Sequence, residues 1–288
     1  MRKFWDGRKL VTMHYNERKK TIKILTKYFL SNQIYRIDLW IVSSTSLLIL
    51  SIFAINTLRT VQKDVFIISN SIYSIGIFLI ACFQGLFISS MAIIKIARDF
   101  DSRVYETYLY GPVDNFCYLL SIVITFTLIN VLISVFFPII WLVILFFLTG
   151  IPLIASDVVQ LVMGSLVVET MLMLGLVFST RETKESSALW INVIVQVFLI
   201  GVIFAHTVIS KYLIPIKRTD IDLFKFFRDL FGFLFSFSRF ISPHTNLYLL
   251  GVEGQFDGIL VFMTVLFLFV ANIGLFIMAQ RNASRRLV

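Results

Sequence analysis

Long apolar runs separated by short polar connections set the pattern of this chain. Residues 39–58, 65–94, 115–156, 158–180, 186–210 and 258–280 hold no Lys or Arg and one carboxylate, Glu169. About 20 apolar residues of α-helix cross the hydrocarbon core of a bilayer, so the pattern predicts an all-α polytopic membrane protein with six transmembrane helices. Barrel strands would instead alternate polar and apolar positions over short segments. The spans are expected at about 38–58, 65–96, 116–148, 157–179, 188–209 and 257–280. Around them lie a basic arm (1–36), a charged connection (97–115), an outer segment (211–256) and a basic tail (282–288).

The run 115–156 is too long for a simple crossing, and counting Lys and Arg on the two sides does not decide between one helix and two. Thr149-Gly150-Ile151-Pro152 is a turn signal, whereas Pro138 has only Phe and Ile as near neighbours. A single long helix kinked at Pro138, followed by a short loop, is therefore expected.

Ten of the 26 Lys and Arg precede Asp38. Basic residues ahead of a first span retain that side in the cytoplasm, and six spans then place both termini there, in a cell (plasma) membrane protein. The arm carries no cleavable-signal pattern, so the first span is expected to direct insertion. Within the arm, Ile22, Leu25 and Phe29 recur at helical spacing while Lys20, Lys23 and Lys27 recur on another face. That arrangement predicts an interfacial helix over 16–34. Between the fifth and sixth spans, residues 223–241 hold eight Phe with Lys225, Arg228 and Arg239, which predicts an aromatic helix embedded at the outer interface.

Composition narrows the chemistry. The chain is 58% hydrophobic with 30 Phe and a mean hydropathy of +0.88. The net charge of +9 is concentrated in the arm, which favours topogenesis over nucleic-acid binding. Cys82 and Cys117 fall inside apolar runs and read as small buried hydrophobes. His14, His206 and His244 lack a metal-ligand partner at helical spacing, and no Gly-rich phosphate loop is present. Neither a metal site nor a bound cofactor is expected on this chain, and it is not expected to be an enzyme.

Polar residues at membrane depth are the candidate translocation path or gate. Glu169 is the costliest of them, and it must be neutral, paired or beside water. Gln84, Asn130, Gln196 and Asn272 are candidate neighbours on other spans. The alternative reading is a structural hydrogen bond between helices.

The 97–115 connection carries the most specific motif. Asp99 and Asp101 are followed by Glu106, Leu109 and Pro112-Val113. This resembles the cytoplasmic motif of the type 2 ATP-binding-cassette (ABC) transporter permeases, an acidic-Arg-acidic triplet, then Gly-Thr-Leu-Glu, two leucines and Pro-Val. Phe100 stands in place of the arginine, Tyr108 in place of the first leucine, and Arg103-Val104 in place of Gly-Thr. Residues 179–185 and Ser242-Pro243-His244-Thr245 are similar to two later family segments. The resemblance implies an exporter membrane subunit with short outer helices between the fifth and sixth spans, working with a second permease copy and a separate ATPase subunit that holds ATP and Mg. It also implies that Arg98, Asp99, Asp101, Arg103, Glu106 and Pro112 form the ATPase-coupling element. Membrane lipid is the other implied partner. A solvated loop at 97–115, or an ABC-type scaffold that transmits force without moving a substrate, remains the alternative.

Overall fold

The computed structural model describes residues 15–61, 73–102, 104–105, 108, 113–151, 153–182, 184–208, 222–251 and 258–286. Helices α1 (Tyr15–Ile34), α2 (Ile37–Val61) and α3 (Ser74–Asp101) precede the charged connection. After it come α4 (Asn115–Val131), a π-helical turn (Leu132–Phe136) and α5 (Phe137–Thr149). Then come α6 (Ala155–Arg181), α7 (Glu185–Val208), α8 (Asp222–Ile241), α9 (Pro243–Gly251) and α10 (Gly258–Arg286). No strand occurs among the described residues.

Six helical stretches are long and apolar enough to cross a membrane: Ile37–Asn56, Ser74–Asp101, Asn115–Thr149, Ala155–Arg181, Glu185–Val208 and Val261–Arg285. The third is one continuous helical path. Pro138 has no N–H to donate and its ring crowds the Ser134 carbonyl, and the backbone widens into the π turn over that segment. Asp114 opens this span by accepting the Cys117 N–H at 2.7 Å, a helix cap of the usual Asp kind. Gly150 closes it at φ 73, where its N–H reaches the Phe146 carbonyl at 2.8 Å.

Helices α3 and α6 form the centre of the bundle and make its most extensive pairing. Their most apolar windows are 67% and 72% buried, against 11% for α10, so α10 lies at the periphery. Small residues allow the approach. A Cβ added at Gly164 would lie 3.3 Å from Ala81 Cβ, and one at Gly175 would lie 3.2 Å from Ser89 Cβ and from the Ser89 carbonyl oxygen. The contacts advance in the same direction along both helices, so the two run parallel. Close backbone approach is what drives helix association in lipid, where apolar burial distinguishes protein from solvent poorly.

One end of the bundle gathers α1, the end of α3, the start of α4, the α6–α7 junction and the end of α10. Helix α1 lies against α4 and buries Leu25 and Phe29 in the same core cluster as Tyr118 and Ile122. Burying two such side chains from water contributes about 2 kcal/mol each. At the other end, α8 and α9 pack on α7, with the Thr207 hydroxyl donating to Tyr248 at 2.9 Å. Phe78, Phe235 and Tyr248 are packed together there.

Candidate functional site

A chain of polar side chains crosses the bundle at membrane depth. Glu169 on α6 accepts the Thr127 hydroxyl of α4 at 2.6 Å and the Asn130 amide at 3.3 Å. Asn130 also donates to the Ser165 carbonyl at 2.9 Å. Its oxygen lies 2.7 Å from the Ser134 hydroxyl, which is in turn 2.6 Å from the Gln84 carbonyl oxygen on α3. Gln84 then donates to Ser46 on α2 at 2.9 Å and to the Ile133 carbonyl at 3.3 Å. Four spans are joined through six side chains without a cation among them.

The reason this chain can exist is local. The π turn that accommodates Pro138 includes Ile133 and Ser134, and it is there that the Ile133 carbonyl is available to Gln84 and the Ser134 hydroxyl sits between two amides. Gln84, Asn130, Ser46 and Ser134 are buried, whereas Glu169 is only partly so. A buried amide left unpaired costs about 1–3 kcal/mol, so each link supports the next.

A second network lies on the neighbouring face of α3. Gln196 of α7 donates to Ser89 at 2.8 Å and to Asn192 at 3.0 Å, and Asn192 donates to Ser89 at 2.9 Å. The Gln196 carbonyl oxygen and the Asn272 carbonyl oxygen on α10 are buried without a hydrogen-bond partner. Of the five residues expected along a path, Glu169, Asn130 and Gln84 are thus linked in one chain, Gln196 belongs to another, and Asn272 joins neither.

At the α1 end, Asp99 faces inward at 6% exposure. Lys95 approaches both its oxygens at 2.6 and 2.7 Å, and the Tyr118 hydroxyl donates to it at 2.6 Å. The Lys95 ammonium also stands 4.9 Å from the Phe29 ring centroid, a cation–π contact that ties α1 to α3. Phe29 meets the Tyr108 and Tyr118 rings edge-on. Tyr105 donates to Asn115, which donates to Ser284 of α10 at 3.3 Å. Burial, and secondarily Asp114, pushes the Tyr105 phenol well up; burial, with Asp99 and Tyr28 adding to it, raises that of Tyr108.

The same end presents charge outward. Asp101 is exposed, and the Arg98 side chain is 66% exposed while reaching Glu185 of α7 at 3.6 Å. Arg18 of α1 pairs with Asp114 at 2.8 Å. Arg103, Glu106 and Pro112 lie outside the described residues. Of the expected coupling residues that are described, Asp99 therefore braces the end of α3 internally, while Arg98 and Asp101 face out.

Sequence reasoning passed over the hydroxyls that complete these networks: Ser46, Ser89, Thr127, Ser134 and Tyr118. The Lys95/Asp99 and Asn192/Gln196 spacings of four residues were readable signals. His244 and Cys82 also meet, Nδ1 to Sγ, at 3.9 Å. His244 is fully buried, its Nε2 has no partner, and burial lowers its pKa to about 4. No group of three or more metal-ligating side chains occurs among the described residues.

Comparison with protein-family models and with curated proteins returned no match. Fold and polar networks together define the class: a multi-pass, all-helical membrane protein with six candidate spans.

Proposed function

We propose that this chain is the membrane-spanning permease of an ATP-driven exporter, coupled to a separate ATPase subunit and paired with a second permease copy. The observation that carries the reading is the α3 end. An outward pair, Arg98 and Asp101, sits on a helix end stiffened from within by the Lys95–Asp99–Tyr118 contacts. Arg98 reaches α7, and the neighbouring Asn115 reaches α10. A push on this surface is therefore delivered to several helices at once, which is what a coupling element requires.

In this reading the α1 end faces the cytoplasm of a plasma membrane protein, α1 lies at the membrane interface, and α8 and α9 lie at the outer side. ATP and Mg are held by the partner ATPase. Glu169 and the chain to Ser46 lie beside the path and change partners as the helices move. Arg98, Asp101, Arg103, Glu106 and Pro112 meet the ATPase.

The test is co-purification of the tagged chain in mild detergent, followed by mass spectrometry of the complex. A nucleotide-binding subunit should be recovered, and lost when Asp101 and Glu106 are both changed to Lys. Recovery of the chain alone, under conditions that keep other membrane complexes intact, would refute the reading.

A further inference from the structure

Helix α1 has three faces. Leu25, Phe29 and Gln33 recur every four residues and are buried against the bundle. Lys20, Lys23 and Lys27 lie on the opposite side and are all exposed. Between these two, on one flank only, Ile24 and Tyr28 are 58% and 52% exposed. Steps of 100° per residue place these groups roughly a quarter to a half turn apart.

A helix in water gains nothing from exposing Ile24 and Tyr28 beside a cationic strip. At a membrane surface the same layout lets the apolar flank enter the acyl–headgroup boundary while the lysines lie at phosphate level. The start of α2 sets the depth. The Trp40 indole donates to the Ile34 carbonyl at 2.9 Å, fastening the end of α1 to the first turn of α2. There Ile37, Trp40 and Ile41 are also exposed apolar side chains, at 74%, 48% and 56%. Tryptophan at that position marks a membrane–water boundary.

We propose that the Lys20–Lys23–Lys27 face of α1 is a binding site for anionic phospholipid headgroups, seated by Ile24 and Tyr28. The site rests on the interfacial placement of α1 in the proposed function. Charge complementarity selects the ligand: three lysines with no ion-pair partner among the described residues attract phosphate esters and discriminate against zwitterionic headgroups. The exposed acid of α1, Glu17, lies on the Ile24–Tyr28 flank. A lysine near an anionic surface contributes about 1 kcal/mol, or about fivefold in affinity.

The full chain is reconstituted in phosphatidylcholine nanodiscs with increasing phosphatidylglycerol, and hydrogen exchange over 17–34 is followed. Protection should rise with phosphatidylglycerol, fall at high salt, and weaken about fivefold for each lysine changed to Gln. Replacing all three by Arg should keep the response. A spin label on Tyr28→Cys gives membrane depth independently. A label at interfacial depth with protection insensitive to lipid charge overturns the headgroup site alone. A label in water in both lipids overturns the site and the interfacial placement together.

Discussion

Adding one methyl group at Gly175 tests whether the α3–α6 approach organises the bundle. The new Cβ would lie 3.2 Å from both Ser89 Cβ and the Ser89 carbonyl oxygen, and 3.3 Å from Ile93 Cγ1. Carbon atoms rest at about 3.5–4.0 Å, so the helices must part by a few tenths of an ångström against a backbone atom that has no rotamer to escape into. Overpacking of this kind costs about 1–3 kcal/mol. The intrinsic helix preference of Ala over Gly, about 1 kcal/mol, acts in the other direction. Gly274 on α10 supplies the control, because nothing lies within 4 Å of its added Cβ. Gly274→Ala receives the propensity gain alone. Gly175→Ala should therefore be less stable than Gly274→Ala by about 1–3 kcal/mol, a difference of several degrees in the midpoint of heat-induced loss of the monodisperse peak on fluorescence-detected size exclusion. Ser89 also receives the Gln196 and Asn192 amides, so separation of the helices disturbs that network as well. A Gly175→Ala midpoint at or above that of Gly274→Ala would show that the two helices do not pack at this distance.

Two other perturbations read different parts of the molecule. Glu169→Leu leaves the Thr127 hydroxyl without its acceptor, takes one acceptor from the Asn130 amide, and should cost about 1–2 kcal/mol. Glu169→Gln should lose less by the same thermal assay, and equal losses would show that the hydrogen bonds contribute nothing. His244 titrates near 6.5 when unfolded but near 4 in its buried site, so the unfolded chain takes up the proton first. Stability is complete above about pH 6.5 and falls as pH drops toward 4, by up to about 3 kcal/mol. His244→Gln should flatten the wild-type slope in thermal midpoint over that interval, and an unchanged slope would assign the pH dependence to other groups.

The helices were legible because their signals are local. Apolar runs and the Gly150 turn each depend on a few consecutive residues, and α8 was readable from its eight Phe with Lys225, Arg228 and Arg239. The membership of Gln84, Asn130 and Glu169 in one network was not legible, since it depends on which faces of α2, α3, α4 and α6 meet. Sequence placed all three at membrane depth but could not pair them. It also grouped Asp99 with Asp101 by motif, while the fold separates them: two positions along the end of α3 turn one carboxylate toward Tyr118 and the other toward solvent.

The sequence by itself determined the apolar runs and the basic arm, and with the Thr149-Gly150-Ile151-Pro152 turn it set the number of spans, because transfer of a helix of about 20 residues into lipid depends on composition summed along the segment. Tertiary structure decided the rest. Which glycine is tight and which is open, which amides meet across the spans, and which lysines of α1 stay exposed all depend on the mutual rotation of the helices. That rotation is set by contacts between residues far apart in the chain, which no local pattern encodes.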